Sequence, residues 1–329
     1  MIYANAHDII TDDVFVALPY LSRRADVFLK IEGFNPAGSI KLKTALGLIE
    51  DAERRGSVSV GVPVIESSSG NLGIALSSIC AAKGYPFTCV VDPNTSESAI
   101  AHMRALGAEV VTVRKTDSNG GYLHSRIAYI HERLQRQPEM VWLNQYANPA
   151  NTRAHYERTA KNLLAGLGRI DHLFVGTGST GTFVGCASYL REHSPHTRIV
   201  AVDSLGSVTF GAAPGRRWIP GLGASRRPEL CRPELAHEVV HVPEEDAIRE
   251  CRRVARATGL LVGGSTGSVL AAVARYEEEF RDRPRVAAIS PDLGDRYLKT
   301  VYDDDWVESR FGTVRTAETP CLVGAPEGG

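Results

Sequence analysis

Asn35-Pro-Ala-Gly-Ser-Ile-Lys41 and Glu66-Ser-Ser-Ser-Gly-Asn-Leu-Gly73 are the stretches on which the fold of this chain turns. In the first, Pro36 and Gly38 punctuate a turn, Ser39 is placed to cap, and Lys43-Thr-Ala-Leu-Gly-Leu-Ile-Glu50 continues with helical apolar spacing. Lys41 therefore stands just inside a helix start, where the field disfavours an ammonium. A neutral amine there suits attack on a carbonyl and Schiff-base formation. The second stretch follows the apolar run Val62-Pro-Val-Ile-Glu66 and precedes Ile74-Ala-Leu-Ser-Ser-Ile-Cys-Ala-Ala-Lys83, so it is a strand–turn–helix junction. Its small residues offer hydroxyls, an amide and bare backbone N–H groups to an anion.

Outward from these stretches the chain alternates short strands with medium helices. Strands are expected at Val14–Leu18, Val27–Glu32, Val62–Glu66, Phe87–Val91, Glu109–Val113, His172–Val175, Arg198–Val202 and Val286–Ile289. Helices are expected from Lys41 to about Arg55, after Gly70, over Ser96–Leu106, from Gly120 to about Arg136, over Thr152–Leu167, after the glycine loop Gly176–Gly181, over Glu244–Thr258 and over Gly267–Phe280. This rhythm predicts an α/β protein in two lobes, with parallel sheets covered on both faces. Residues 204–235, rich in Gly, Pro, Ser and Arg, read as a long functional loop region. The tail after Gly312 lacks periodicity and is expected to be mobile.

A chain of 329 residues, 43% hydrophobic and 23% charged, is long for one core and comfortable for two. Its formal net charge of −1 argues against a nucleic-acid surface or an anionic membrane as the main partner. No apolar run approaches a membrane span, and Met1-Ile-Tyr-Ala-Asn-Ala-His7 lacks the regions of a signal peptide, so a cytoplasmic protein is expected. Cys80, Cys89, Cys186, Cys231, Cys251 and Cys321 form no CxxC pair and read as reduced structural thiols. The ten histidines show no metal spacing and read as surface or packing residues; no metal is expected.

Together the two opening stretches resemble the cysteine synthase branch of the fold-type-II pyridoxal-phosphate enzymes. In that family Asn-Pro-x-x-Ser-x-Lys carries the cofactor lysine, and a Ser/Thr-Ser-Gly-Asn-x-Gly loop holds the substrate carboxylate. Matching stretches follow in the family's order over nearly the whole chain. The resemblance implies a large cofactor-binding domain of residues 1–38 and 146–329 and a small mobile domain of residues 39–145. Each would be a mainly parallel sheet flanked by helices. It implies pyridoxal 5'-phosphate as cofactor, held by Lys41, which is also the catalytic residue. Lys43 is the nearby competitor, and Leu42-Lys43 stands where the family commonly has Asp-Arg. Asn71 would meet the cofactor's ring hydroxyl. Ser67, Ser68, Ser69, Asn71 and Gln145, with Tyr146 beside it, would bind substrate. Ser265, in Gly263-Gly-Ser-Thr-Gly267, would meet the pyridine nitrogen. A hydroxyl does not force that nitrogen to be protonated, which suits β-elimination.

Gly176-Thr-Gly-Ser-Thr-Gly181 follows a strand, opens a helix and satisfies G-x-G-x-x-G, with Asp203 ending the next strand near the place of a ribose-binding acid. Alone it would indicate NAD. It also suits one phosphate, with hydroxyls from Thr177, Ser179, Thr180 and Thr182 at a helix N-terminus. The upstream lysine and serine–asparagine loops favour the cofactor phosphate, cradled by Gly176, Thr177, Gly178, Ser179 and Thr180.

Ordinary members of the family exchange the acetate of O-acetylserine for sulfide. This chain looks closer to a branch joining O-phospho-L-serine to L-glutamate through an aminoacrylate. The product, N-(2-amino-2-carboxyethyl)-L-glutamate, leads to 2,3-diaminopropionate for siderophores and peptide antibiotics. The closer match lies in Glu66–Gly73, Gly120-Gly-Tyr-Leu-His-Ser-Arg126, Asn144-Gln-Tyr-Ala-Asn148, Gly206-Ser-Val-Thr-Phe-Gly211, Pro220-Gly-Leu-Gly-Ala-Ser-Arg226 and Gly294-Asp-Arg-Tyr297. Arg126, Gly223, Ser225 and Arg226 would bind substrate there, the arginines suiting a dianionic leaving group or a dicarboxylate nucleophile. Either arginine could instead form a surface ion pair. The Gly176 loop looks more like that of ordinary cysteine synthases, so a sulfhydrylase using O-acetylserine or O-phosphoserine stays open. A cofactor-free regulatory relative is a third reading, disfavoured by the intact lysine and loops. The family implies a homodimer acting on small amino acids.

Overall fold

The computed structural model describes residues 2–117 and 120–314; Cys321 and the tail beyond residue 314 lie outside the described residues. In chain order the elements are β1 (Phe15–Ala17), β2 (Asp26–Ile31), α1 (Lys41–Arg54), β3 (Val64–Ser67), α2 (Asn71–Lys83), β4 (Phe87–Val91), α3 (Glu97–Ala105), β5 (Glu109–Thr112), α4 (Leu123–Arg136), β6 (Val141–Trp142) and α5 (Pro149–Ala154). There follow α6 (Lys161–Leu167), β7 (His172–Gly176), α7 (Gly181–His193), β8 (Arg198–Ser204), β9 (Glu238–Val242), α8 (Glu244–Thr258), α9 (Gly264–Arg275), β10 (Arg285–Ser290) and α10 (Asp304–Phe311).

Among the described residues the strands form two sheets, ordered β1-β2-β10-β7-β8-β9 and β5-β4-β3-β6. All pairings are parallel except that of β1 with β2. The expected mainly parallel α/β architecture is therefore present. β3 and β4 are buried along their whole length, as strands covered on both faces must be. One cluster joins Leu42, Leu48 and Ile49 of α1 to Leu72, Ile74, Leu76 and Ile79 of α2 and to Val64, Cys89 and Val91 of the smaller sheet. Each such aliphatic side chain contributes roughly 1.5–3 kcal/mol on burial. Two further clusters, around Phe174, Val200, Leu270 and Val286 and around Leu173, Phe183, Ile199 and Ile289, cover the faces of the larger sheet.

Several elements differ from the sequence expectation. The helix predicted over Thr152–Leu167 begins at Pro149, where the Asn148 side chain accepts the Ala150 N–H (2.9 Å), and it widens into a π-helical turn over His155–Ala160. A Cβ on Gly185 of α7 would collide with Thr152 and His155, so the glycine permits that close crossing. β9 and α10 were not expected, and α9 starts earlier than Gly267. The 204–235 region is irregular apart from one short turn at Pro233–Leu235.

Parallel sheets bind ligands beyond their carboxyl ends, where helices begin. Here both sheets aim those ends at one cavity. Its wall includes Ser68–Leu72 after β3, Asp92–Asn94 after β4, Gly178–Thr182 after β7, and Pro291 and Asp292 after β10.

Candidate active site

The cavity measures about 1210 Å³. Lys41 lies on its wall at the first residue of α1. The turn before it is tied by Asn35, whose Nδ2 donates to the carbonyls of Glu32 (2.9 Å) and Ser39 (3.0 Å) while its Oδ1 accepts the Ala37 N–H (3.0 Å). The Ile40 N–H donates to Pro291 O (2.7 Å), fixing the helix start to the strand end after β10. Ser39 does not cap: Ile40 holds the cap position and the Ser39 hydroxyl is buried without a partner. Burial pushes the Lys41 amine down to about 8, with the Asp292 carboxylate pulling the other way. Desolvation, rather than the helix field, is the main cause. Lys43 points elsewhere, buried in ion pairs with Asp12 and with Glu32 (2.7 Å). It does not compete for the cavity.

Ser68, Ser69, Gly70, Asn71, Gln145 and Tyr146 line the wall. Ser68 Oγ accepts the N–H groups of Gly70 (3.2 Å) and Gly73 (2.9 Å), shaping the start of α2. Ser67 does not reach the cavity. It is still in β3, paired with Val90, and its hydroxyl is buried behind the wall. Its carbonyl accepts from Gln145 Nε2 (2.7 Å). Beneath this loop the buried Glu66 carboxyl accepts from the N–H groups of Ser67 (2.7 Å) and Gln145 (3.1 Å) and from the Trp142 indole (3.3 Å), and burial pushes it up to about 7.

Asn71 is spanned by groups that sequence reasoning left without a role. Its Nδ2 donates to Asp292 Oδ2 (2.7 Å), and its Oδ1 accepts from Arg296. Arg296 also reaches Ala37 O (2.6 Å), and Tyr297 OH donates to Asp292 (2.7 Å). Burial raises the Asp292 carboxyl against these bonds, and its other oxygen has no hydrogen-bond partner. Ser290-Pro-Asp292, directly after an apolar strand, was the available signal.

At the start of α7, Gly176, Gly178, Ser179, Thr180, Gly181 and Thr182 line the cavity. Thr180 is held at φ +66 with its hydroxyl buried and unpartnered. Ser179 Oγ accepts from Asn151 Nδ2 (3.1 Å), against which a Cβ on Gly181 would collide. Buried His155 shares hydrogen bonds with Thr44 (2.9 Å) and Thr182 (3.3 Å); burial, Lys41 and Lys43 hold its pKa well below the usual range. Thr177 departs from expectation. Its N–H and hydroxyl both donate to Val202 O (2.9 and 3.0 Å), so neither is available to a phosphate. Asp203 is buried and accepts the Ser204 N–H (2.9 Å), away from any ribose site on the wall.

Gly223, Ser225 and Ser265 are on the wall. Ser225 Oγ donates to Asp117 (3.2 Å). Arg126 is 6% exposed and lies 3.5 Å from Asp92, with Nε and one terminal nitrogen making no hydrogen bond. Arg226 is not on the wall. Its guanidinium pairs with Glu229 three residues on, a surface ion pair instead of a substrate contact.

These residues fit pyridoxal phosphate. An amine of lowered pKa, an unspent buried hydroxyl at a glycine-rich helix start, and a serine hydroxyl at the start of α9 face one space. A family model for "Pyridoxal-phosphate dependent enzyme" matches residues 10–292. The chain belongs to this family. Two relatives of this pyridoxal-phosphate enzyme carry the name N-(2-amino-2-carboxyethyl)-L-glutamate synthase. The one from Ralstonia nicotianae is 44% identical over 315 residues, covering 94% of this chain and 93% of its own. The one from Cupriavidus metallidurans is 44% identical over 288 residues, covering 86% and 84%. The O-acetylserine dependent cystathionine beta-synthase of Helicobacter pylori superposes with a TM-score of 0.84 at 29% identity, covering 91% of this chain and 98% of its own.

Among the described residues no group of histidine, cysteine and acidic side chains could hold a metal ion, and no helix is long and apolar enough to cross a membrane. The five described cysteines are unpaired and buried.

Proposed function

We propose that this enzyme replaces the phosphate of O-phospho-L-serine with the amine of L-glutamate, giving N-(2-amino-2-carboxyethyl)-L-glutamate. Two relatives of that name at 44% identity support the reaction class. Buried Arg126, a guanidinium on the cavity wall whose Nε has no hydrogen-bond partner and which stands 3.5 Å from Asp92, is the observation that favours a phosphorylated donor.

The cofactor, when bound, withdraws electrons from the donor's α-carbon. The chain supplies the rest. Lys41 holds the cofactor and, once its amine is free, takes the donor's α-proton on Nζ; it returns a proton to that carbon after the new C–N bond forms. Gly178, Ser179 and Thr180 at the start of α7 hold the cofactor phosphate, and Ser265 meets the ring nitrogen. Ser68, Ser69, Asn71 and Gln145, with Tyr146, hold the donor around its α-carboxylate. Asn71 would exchange part of its present bonding to Asp292 and Arg296 for the cofactor's ring hydroxyl. Arg126 receives the departing phosphate as the β C–O bond breaks, two charge-assisted hydrogen bonds offsetting the charge that develops.

In this reading residues 39–145, which include β3–β6, form the small mobile domain, and residues 1–38 and 146–329 form the cofactor domain. A cytoplasmic location accords with the unpaired thiols among the described residues, and a homodimer with the family resemblance. The sulfhydrylase alternative differs in needing no cation for its nucleophile.

Arg126→Ala should cut kcat/KM for O-phosphoserine about 30-fold or more, since losing a charged partner at a desolvated site costs roughly 2–5 kcal/mol. O-acetylserine should lose only a few-fold. Arg126→Lys keeps the charge without the fork and should fall between. Equal losses with both donors in both variants would make Arg126 structural and remove the support for a phosphorylated donor.

A further inference from the structure

The cavity's outer rim carries a cluster of two arginines and two tryptophans, set apart from the groups around Lys41. The Arg216 guanidinium lies 3.6 Å from the centroid of Trp218, and that of Arg310 lies 5.0 Å from the same ring and 4.8 Å from Trp306. All four side chains line the cavity. The two arginines are exposed and the two indoles half-buried, which places the cluster where the cavity meets solvent. Sharing one ring centroid, the guanidiniums stand within the sum of those two distances of each other.

The platform is fixed by bonds of its own. The buried side of its loop is pinned by Glu244, which accepts the N–H groups of Trp218 (2.9 Å) and Ile219 (2.7 Å), and Arg217 donates to Leu222 O (2.9 Å). On the other side Asp303 caps α10 at the Trp306 N–H (2.7 Å), and Arg252 holds Asp304 (2.6 Å). Among the described residues Arg310 donates hydrogen bonds to Ser309 (2.7 Å) and Trp306 O (3.4 Å). No carboxylate is paired with Arg216 or Arg310 among the described residues. Two like charges held against one indole, with no carboxylate partner among the described residues, repel, and a cation–π contact at an exposed site returns only a little. An anion within reach of both guanidiniums relieves that repulsion.

Deeper cations on the wall have partners: Arg126 lies against Asp92, and Arg296 spans Asn71 and Ala37. We propose that Arg216 and Arg310 form the subsite for the side-chain carboxylate of the incoming dicarboxylate amine, with Trp218 and Trp306 flanking its methylenes. This rests on the function proposed above. The amine must enter to reach the donor's β-carbon, and the far end of a glutamate side chain is then left toward the mouth. A guanidinium pair there selects charge at that end, which the isosteric glutamine lacks. Sulfide would need nothing of the kind.

The test uses the loaded enzyme with O-phosphoserine and compares L-glutamate with L-glutamine. In the Arg216→Ala/Arg310→Ala double variant the KM for glutamate should rise roughly tenfold and that for glutamine should change less than about twofold. The glutamate KM of the native chain should climb with added salt, as expected of exposed charges, and that of the double variant should not. Arg216→Lys/Arg310→Lys should recover part of the preference. Single-turnover release of phosphate without any amine shows that each variant is folded and competent for the first step. A native enzyme that forms no glutamate adduct overturns the proposed function and this subsite with it. A native enzyme that forms the adduct, with the glutamate-to-glutamine preference unchanged in the double variant, overturns the subsite alone.

Discussion

Two lysines two residues apart have opposite fates, and the difference is what each meets. Lys41 opens onto the cavity with Asp292 as its counter-charge, whereas Lys43 is closed in by Asp12 and Glu32. Uptake of pyridoxal phosphate by the cofactor-free protein requires the neutral amine. Its rate should therefore rise as pH passes through about 8, where Lys41 loses its proton, and level off above. Stopped-flow absorbance checks this; a rate still climbing steeply beyond pH 10, as for an ordinary lysine, would contradict it. Lys41 was legible because its register in Asn35–Lys41 is unambiguous. Ser67 and Thr177 were not, because strand geometry sends successive side chains to opposite faces. Each stands beside residues on the wall and is itself turned inward. Arg226 was misplaced because Glu229, though visible in the sequence, binds it only once the turn is folded.

At the scale of elements, α1 must be held rigidly if its first residue is to work. Buried Glu32 of the β2 end lies 2.7 Å from Lys43 and 3.3 Å from Lys30, and Asp12 adds a further contact from the N-terminal segment. Removing one partner of a buried pair leaves the other uncompensated. Lys43→Met should lower unfolding stability by roughly 3 kcal/mol in denaturant titration, and adding Glu32→Gln should restore part of that. The visible band of the loaded enzyme should persist in both, since neither residue lines the cavity. Loss of the band with unchanged stability would reverse these roles. Most elements were readable from apolar runs and turn residues. β9 was not, since Glu238-Val-Val-His-Val242 is a half-buried edge strand without a fully apolar run. The π-helical turn at His155–Ala160 depends on α7 crossing at Gly185, a contact that no local pattern announces.

For the whole molecule, the alternation of strands and helices foretold parallel sheets, and the carboxyl-end rule then foretold where the cavity lies. The choice between a dinucleotide and a single phosphate at Gly176–Gly181 was open locally. The fold favours the single phosphate: Asp203 is buried, and Lys41 and Ser265 share one wall with Thr180. The Asp292–Asn71–Arg296 bridge was illegible because its members, separated by more than half the chain, meet only when the two sheets face each other. The reaction is defined by the bond made to the donor's β-carbon. Loaded enzyme mixed with O-phospho-L-serine and amine-labelled L-glutamate, with sulfide in competition, should release phosphate and yield by mass spectrometry the labelled N-(2-amino-2-carboxyethyl)-L-glutamate as the main product. Cysteine as the main product, with the label remaining in free glutamate, would make this enzyme a sulfhydrylase instead.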